Sequence, residues 1–241
     1  MTPAAPLLAL RGVTARRGEG AGAFRLEVPT LDLVRGERLA LLGPSGSGKS
    51  TLLELLALAA PPASAELFRF APEDPLLDVA AAWEARASLL DRWRAQHVGY
   101  VLQTGALLPF LSVGANIALQ AELAGGVPRG RVAELAARLG LGGLLGKLPA
   151  ALSVGQRQRA AVARALVHRP ALVLADEPTA SVDPALAAEV LATLVEEAAA
   201  GGAALVIASH DHAAIARLGL PALRFQARRD ATGAHALAVP G

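Results

Sequence analysis

The chain has no cysteine. Disulfides and thiolate metal sites are therefore excluded, and a reducing cytoplasm is compatible with this composition. Aromatic residues make up only 3% of the sequence, and Ala, Leu and Arg are abundant. That bias reads as a compositional habit rather than a functional signal. A strong charge of one sign is also lacking: the formal net charge is +2, too small to argue for a nucleic-acid partner. Long uncharged apolar runs are missing too, although 53% of residues are hydrophobic. The longest stretch without Lys, Arg, Asp or Glu, Ala95 to Ala121, is interrupted by Gln96, Gln103, Pro109, Asn116 and glycines. It makes a poor spanning helix. Met1 to Leu10 has no basic start and only a short apolar run, so no secretory signal is expected.

What the sequence does contain is a glycine-rich turn between two apolar runs. Gly43, Pro44, Ser45, Gly46, Ser47, Gly48, Lys49, Ser50 and Thr51 follow the strand-like Arg38 to Leu42 and precede the helix-like Leu52 to Leu56. That flanking context makes the pattern a phosphate-binding loop. Gly43, Gly46 and Gly48 let successive backbone N–H groups converge on phosphate oxygens at the positive end of the helix. Lys49 is then placed to reach the terminal phosphates, and the Ser50 hydroxyl to ligate Mg²⁺.

At 241 residues the chain has the size of one large domain, or a domain with a subdomain. Strands are expected at Leu7 to Val13, Phe24 to Val28 and Leu31 to Val34, forming a small antiparallel sheet that leads into the nucleotide core. A proline-punctuated stretch from Ala60 to Asp78 holds one strand at Glu66 to Phe70. One helix is expected from Ala80 to Gln96, with Trp83, Ala87, Leu90 and Arg94 along one side. After a strand at Val98 to Leu102 the pattern is helical to about Arg169, with segments at Val113 to Ala124, Arg129 to Leu139 and Ser153 to His168. That block reads as a helical subdomain inserted into an α/β core. Ala171 to Ala175 and Ala203 to Ala208 are continuous apolar strands of the kind buried in a parallel sheet, with helices at Pro184 to Ala200 and Asp211 to Leu218. A last strand is expected at Ala222 to Gln226. The tail beyond it carries no assignable signal.

Asp176 and Glu177 stand at the carboxyl end of the Ala171 to Ala175 strand, where open α/β sheets bind ligands. A carboxylate there can hold Mg²⁺, and a second can polarise the water that attacks a γ-phosphate. Glu177 is the candidate general base. Ser153, in Leu152-Ser153-Val154-Gly155-Gln156, is a good N-cap; the same helix start is also an anion site. The residues alone leave both readings open.

Taken together, these motifs resemble the ATP-hydrolysing subunit of ATP-binding-cassette (ABC) transporters. The resemblance rests on the phosphate loop, Gln103 after its strand, Leu152 to Gln156, Leu172 to Glu177, Ser181-Val182-Asp183 and His210, all in the family's order, and it covers nearly the whole chain. Leu174 to Thr179 is most similar to the lipoprotein-release and macrolide-exporter branch. The resemblance implies one nucleotide-binding domain over residues 1–241. Its fold would be a P-loop ATPase core with a mainly parallel sheet, an N-terminal antiparallel β subdomain and an inserted helical subdomain at about 104–169. It also implies a second ABC ATPase subunit, a copy of this chain, stacked head to tail. Ser153, Val154, Gly155 and Gln156 of one subunit would then meet the ATP of the other. Gln103 would touch Mg²⁺ and the attacking water, Asp183 would link the two sites, and His210 would bond the γ-phosphate. The implied partners are separately encoded transmembrane permease subunits at the cytoplasmic face of the inner membrane, with no nucleic acid. The docking face expected for them surrounds Gln103 and Leu107 to Leu111, with ordinary core packing as the alternative for those side chains.

Two departures from the family pattern stand out. Val154 replaces the usual glycine, bringing side-chain bulk near phosphate and raising the alternative of a nucleotide-binding module without turnover. Where the family commonly has an aromatic to stack on adenine, this chain reads Ala15-Arg16-Arg17. Arg17 is the candidate replacement because a guanidinium can also stack, with Phe24 the weaker one. A regulatory ATPase that transmits dimerisation across a membrane without moving cargo fits the same residues.

Overall fold

The computed structural model describes residues 5–18, 23–179, 184–230 and 233–240. They belong to two units, one made of Met1–Arg94 with Val206–Gly241 and the other of Ala95–Leu205.

The first unit is built on β1 (Leu8–Arg17) and β2 (Phe24–Leu33), paired antiparallel from Leu8↔Leu33 to Arg17↔Phe24. β4 (Leu67–Phe70) pairs antiparallel with β1, and β5 (Leu77–Asp78) with β4. On the other side, β10 (Gly233–Pro240) runs parallel to β2 and antiparallel to β9 (Ala222–Asp230). β9 in turn runs parallel to β3 (Arg38–Leu42), which gives the order β5-β4-β1-β2-β10-β9-β3. Buried Leu8, Leu10, Val13, Leu26, Val28 and Leu33 fill the inner face. The phosphate-loop helix α1 (Lys49–Leu56) buries Leu52, Leu53, Leu55 and Leu56. Just past its C-terminal end, the Arg94 guanidinium donates to the carbonyl of Leu58.

Three sequence expectations change in this unit. Phe24 to Val28 and Leu31 to Val34 are one strand, continuous through Pro29. Proline has no N–H for a ladder, and the register passes from Arg11↔Thr30 to Val13↔Val28 while Gly12, between those pairs, takes φ +55°. The expected helix over Ala80 to Gln96 is two, α2 (Val79–Ala85) and α3 (Ala87–His97), broken at Arg86 with φ −152° and ψ 59°. The break rotates the apolar set: Ala87 is exposed, while Leu90 and Trp93 are buried. Trp93 sits edge-on to Phe70 with ring centroids 6.0 Å apart. Finally, β9 extends to Asp230 and the unassigned tail is β10, lying between β9 and β2. Its inward residues include Ala236 and Ala238, too small to give a strong alternating signal.

In the second unit β6 (Val98–Val101) and β7 (Leu172–Asp176) pair in parallel. Helices α4 (Val113–Leu123), α5 (Arg131–Arg138), α6 (Val154–Leu166) and α7 (Pro184–Ala200) complete it. Every residue of β7 is buried. Gly99 is dictated by close packing, since a Cβ there would stand 2.1 Å from the Ala165 carbonyl oxygen of α6. An ion-pair cluster ties α5 to α7: Arg131 bonds Glu197 at 2.6 Å, the two side chains being 6% and 3% exposed. Arg138 contacts Glu196 and Glu197, and Arg131 also reaches Glu134. Removing one member of such a pair strands a buried charge, typically at about 3–5 kcal/mol. β8 (Ala204–Ser209) begins in this unit, its Ala204 N–H donating to the Ala171 carbonyl, and ends in the first. The short helix α8 (His212–Arg217) follows.

His168 Nε2 lies 3.2 Å from the Val98 carbonyl oxygen. Desolvation, followed by the charge of His97, pushes its pKa down to about 4 despite that hydrogen bond. A histidine depressed in the folded state contributes stability that is complete above its unfolded pKa near 6.5 and is lost as pH falls through the window down to about 4. Urea melts should therefore lose about 3 kcal/mol between pH 7 and pH 4 from this residue, and His168→Gln should flatten that part of the profile. An unchanged slope in the variant would remove His168 as its source.

Candidate functional site

The loop Gly43–Gly48 leaves the carboxyl end of β3 and turns into α1 with Gly46 at φ +73° and Gly48 at φ +101°. Gly48 is the N-cap residue, and no side chain caps the helix. The first-turn N–H groups thus have no side-chain acceptor, the arrangement an anion can complete. Lys49 is buried, its Nζ donating to the carbonyls of Gly43 at 2.7 Å and Pro44 at 3.1 Å. The Ser47 hydroxyl is buried without a partner. Pro44, Ser45, Gly46 and Ser50 are exposed and Thr51 is half-buried. Arg17 ends β1, and its guanidinium pairs with Glu54 of α1. His210 is exposed directly after β8, ahead of Asp211, which caps α8 by accepting from Ala214 N–H.

In the second unit β6 and β7 run side by side with Val101↔Ala175. Gln103, two residues past β6, and Asp176 and Glu177, at the end of β7, therefore emerge at the same end of adjacent strands. Asp176 is buried, Glu177 half-buried and Gln103 exposed. Glu177 takes φ +47°, a left-handed conformation that a non-glycine residue adopts at a cost and that clusters at functional sites. Gly105 and Ala106, just after Gln103, are braced by the Arg164 guanidinium at 2.8 and 2.7 Å, and burial lowers the pKa of that group.

Ser153 caps α6 in a reciprocal box: its hydroxyl accepts from Gln156 N–H at 3.2 Å and its own N–H donates to Gln156 Oε1 at 2.9 Å. The capped-helix reading is thus realised within the chain. Val154 is 46% exposed, so its bulk does not enter the core, while Gly155 is buried. Asp183, with Ser181 and Val182, lies outside the described residues.

Sequence reasoning missed the residue that organises the Leu107 to Leu111 segment. Asn116 of α4 is fully buried, accepts from Leu108 N–H at 2.8 Å, and donates toward the carbonyls of Leu108, Leu111 and Ser112 at 3.0–3.1 Å. An asparagine beside Ile117 on a largely apolar helix was the available signal. Held by these bonds, the segment presents Phe110 at 73% exposure.

A phosphate-type loop on an α/β sheet, with carboxylates at the end of a buried parallel strand, defines a P-loop nucleotide-binding domain. The comparisons make this specific: the chain belongs to the ABC transporter family, whose model matches residues 26–180. It is similar to the lipoprotein-releasing system ATP-binding protein LolD of Idiomarina loihiensis, at 40% identity over 74% of this chain and 76% of that protein. The LolD of Novosphingobium aromaticivorans is 38% identical over 86% of this chain and 90% of that protein. Macrolide export ATP-binding/permease protein MacB 1 of Aeromonas hydrophila is 41% identical over 86% of this chain, but over 31% of its own length. Among solved structures, the dimeric post-hydrolysis state of the cassette MJ0796 bound to ADP and Pi superposes with a TM-score of 0.77. Its identity is 26%, over 90% of this chain and 93% of that one. The chain is an ATP-binding cassette that hydrolyses ATP as the motor of a transporter. Its α/β P-loop ATPase fold is the one the motifs led us to expect.

Replacing Asn116 with Ala should cost on the order of 2–3 kcal/mol, since it leaves buried backbone groups unpaired. Limited proteolysis within residues 105–112 should accelerate in parallel. Wild-type cleavage and melting would refute this bracing role.

Proposed function

We propose that the chain is a single nucleotide-binding domain over residues 1–241, its helical subdomain at about 104–169, that binds ATP on the Gly43–Thr51 loop and closes on it as a homodimer. The observation that carries this reading is the uncapped start of α1 with Lys49 folded beside it. Lys49 would exchange the Gly43 and Pro44 carbonyls for the terminal phosphates. Ser50, exposed at the first turn, and Asp176, at a strand end, are hard oxygen donors of the kind Mg²⁺ takes together with phosphates and water. Ser50, Asp176 and Gln103 are the ligands we assign to Mg²⁺, which would supply charge neutralisation at the transferring phosphoryl group.

Glu177 is assigned as the base that polarises the attacking water, with His210 bonding the γ-phosphate. The Glu54 carboxylate holds the Arg17 guanidinium, and a face of that planar group would remain for the adenine. Ser153, Val154, Gly155 and Gln156 would close over the ATP of the partner copy, with Asp183 as the link between sites. The post-hydrolysis state of MJ0796, a dimer with ADP and Pi, supports such a cycle. Glu177→Gln should lower phosphate release by at least about a hundredfold while retaining ATP binding. Equal rates in both proteins would refute the assignment, and negligible rates in both would favour a binding module limited by Val154.

Among the described residues no helix is long and apolar enough to cross a membrane. We place the permease as a separate partner on the similarity to the LolD proteins, which are named as ATP-binding proteins of a releasing system, with this chain peripheral at the cytoplasmic face of the inner membrane. The names of the LolD relatives point to lipoprotein release as the system served. Phe110, exposed on the segment that Asn116 pins, is proposed as the docking contact. Phe110→Glu should abolish capture of a co-expressed permease without changing basal ATPase; intact capture would exclude this surface.

A further inference from the structure

Within the first unit the phosphate loop is flanked at both ends by phenylalanine, in a chain that has only five. A Cβ placed on Gly43 would stand 3.2 Å from Phe225 Cβ. One on Gly48 would stand 2.8 Å from Phe24 Cζ, 3.3 Å from its Cε1 and 3.4 Å from Leu26 Cδ1. Phe225 is buried on β9 and belongs to the core. Phe24 is different: it starts β2, is half-exposed, and reaches the loop only with its ring edge.

That contact answers a mechanical problem. α2, α4, α6 and α8 are each fixed at the start by a side-chain cap, from Asp78, Ser112, Ser153 and Asp211. α1 has none, and a cap there would occupy the N–H groups an anion needs. The direction of those N–H groups must then be set by packing on Gly48, whose backbone at φ +101° has more freedom than any other residue type. Phe24 and Leu26 supply that packing. Across the hairpin, the Cα partner of Phe24 is Arg17, which pairs with Glu54 further along α1. The Arg17–Phe24 end of the β1–β2 hairpin thus grips the helix at its N-cap and again along its length.

We infer that Phe24 is a positioning residue for ATP: its ring holds Gly48 left-handed and so aims the first-turn N–H groups of α1 at the phosphates. The inference rests on the proposal that this loop binds ATP. Without the ring the loop must be ordered by the nucleotide itself, which weakens binding. The groups that act on the attacking water are untouched, so the defect belongs in KM rather than kcat.

Steady-state ATPase kinetics and calorimetric ATP binding on the full chain test this, with Phe24→Ala, Phe24→Leu, Phe24→Tyr and Lys49→Ala. Phe24→Ala should raise KM and Kd about five- to tenfold, leave kcat within about twofold, and keep the nucleotide-free melting temperature. Phe24→Tyr, which keeps the ring, should restore wild-type KM. A wild-type KM in Phe24→Ala overturns the inference, as does a joint fall of kcat and melting temperature that Phe24→Tyr leaves uncorrected. Should Phe24→Ala fail to fold, Phe24→Leu takes its place: a KM raised about two- to threefold supports the ring's role, and a wild-type KM overturns it. Lys49→Ala reports on the reading beneath: unimpaired ATP binding there refutes the loop as the site, whereas impaired binding there with a wild-type Phe24→Ala refutes only Phe24.

Discussion

The first N–H groups of a helix need acceptors, and α1 offers them none from its own side chains. Much of the first unit can be understood as a consequence of that single omission. A cap would stabilise the helix by about 1 kcal/mol and close the position to phosphate. Gly48 keeps it open. The compensation comes from neighbours: leucines buried beneath the helix, a ring over Gly48, Glu54 held by Arg17, and the Arg94 guanidinium on the Leu58 carbonyl beyond the far end. The loop is meanwhile closed on itself through Lys49, whose ammonium satisfies two of its carbonyls. A ligand phosphate can take over that charge without leaving a buried cation unpaired.

The second unit answers a different demand. β7 is buried along its whole length, and a parallel pair of strands carries chemistry only at its carboxyl ends. Asp176 and Glu177 occupy one such end and Gln103 follows the other. The left-handed backbone of Glu177 bends the chain where the last strand hydrogen bonds stop, a conformation maintained only by firm surroundings. Elsewhere in this unit several polar groups are committed to structure: Arg164 to the segment after Gln103, Asn116 to the segment after that, Arg131 and Arg138 to Glu197.

Much of the site was legible in the sequence because phosphate binding demands residue types at fixed spacing along one stretch. Gly46, Gly48 and Lys49 are neighbours in the chain, so their geometry is local. Asp176 and Glu177 were legible for a related reason, as carboxylates closing an unbroken apolar run. Elements that depend on distant partners were not. The tail became β10 because an edge between β2 and β9 was available to it, while Ala236 and Ala238 carry little alternation of their own. The single helix expected over Ala80 to Gln96 split at Arg86 because packing of Leu90 and Trp93 outweighed helical continuity.

From the order of residues alone came a cysteine-free α/β chain with a phosphate loop, its lysine, its paired carboxylates and a capped helix at Ser153. These follow from backbone stereochemistry and from side chains within a few positions of one another. Tertiary structure decided what holds them: that Phe24 closes on Gly48, that Arg17 faces Glu54, that Asn116 pins the segment bearing Phe110. The first two of those contacts join elements separated in the chain, and the third depends on the burial of an amide within eight residues of its partners; such pairings are settled only when burial and hydrogen bonding select one packing from many.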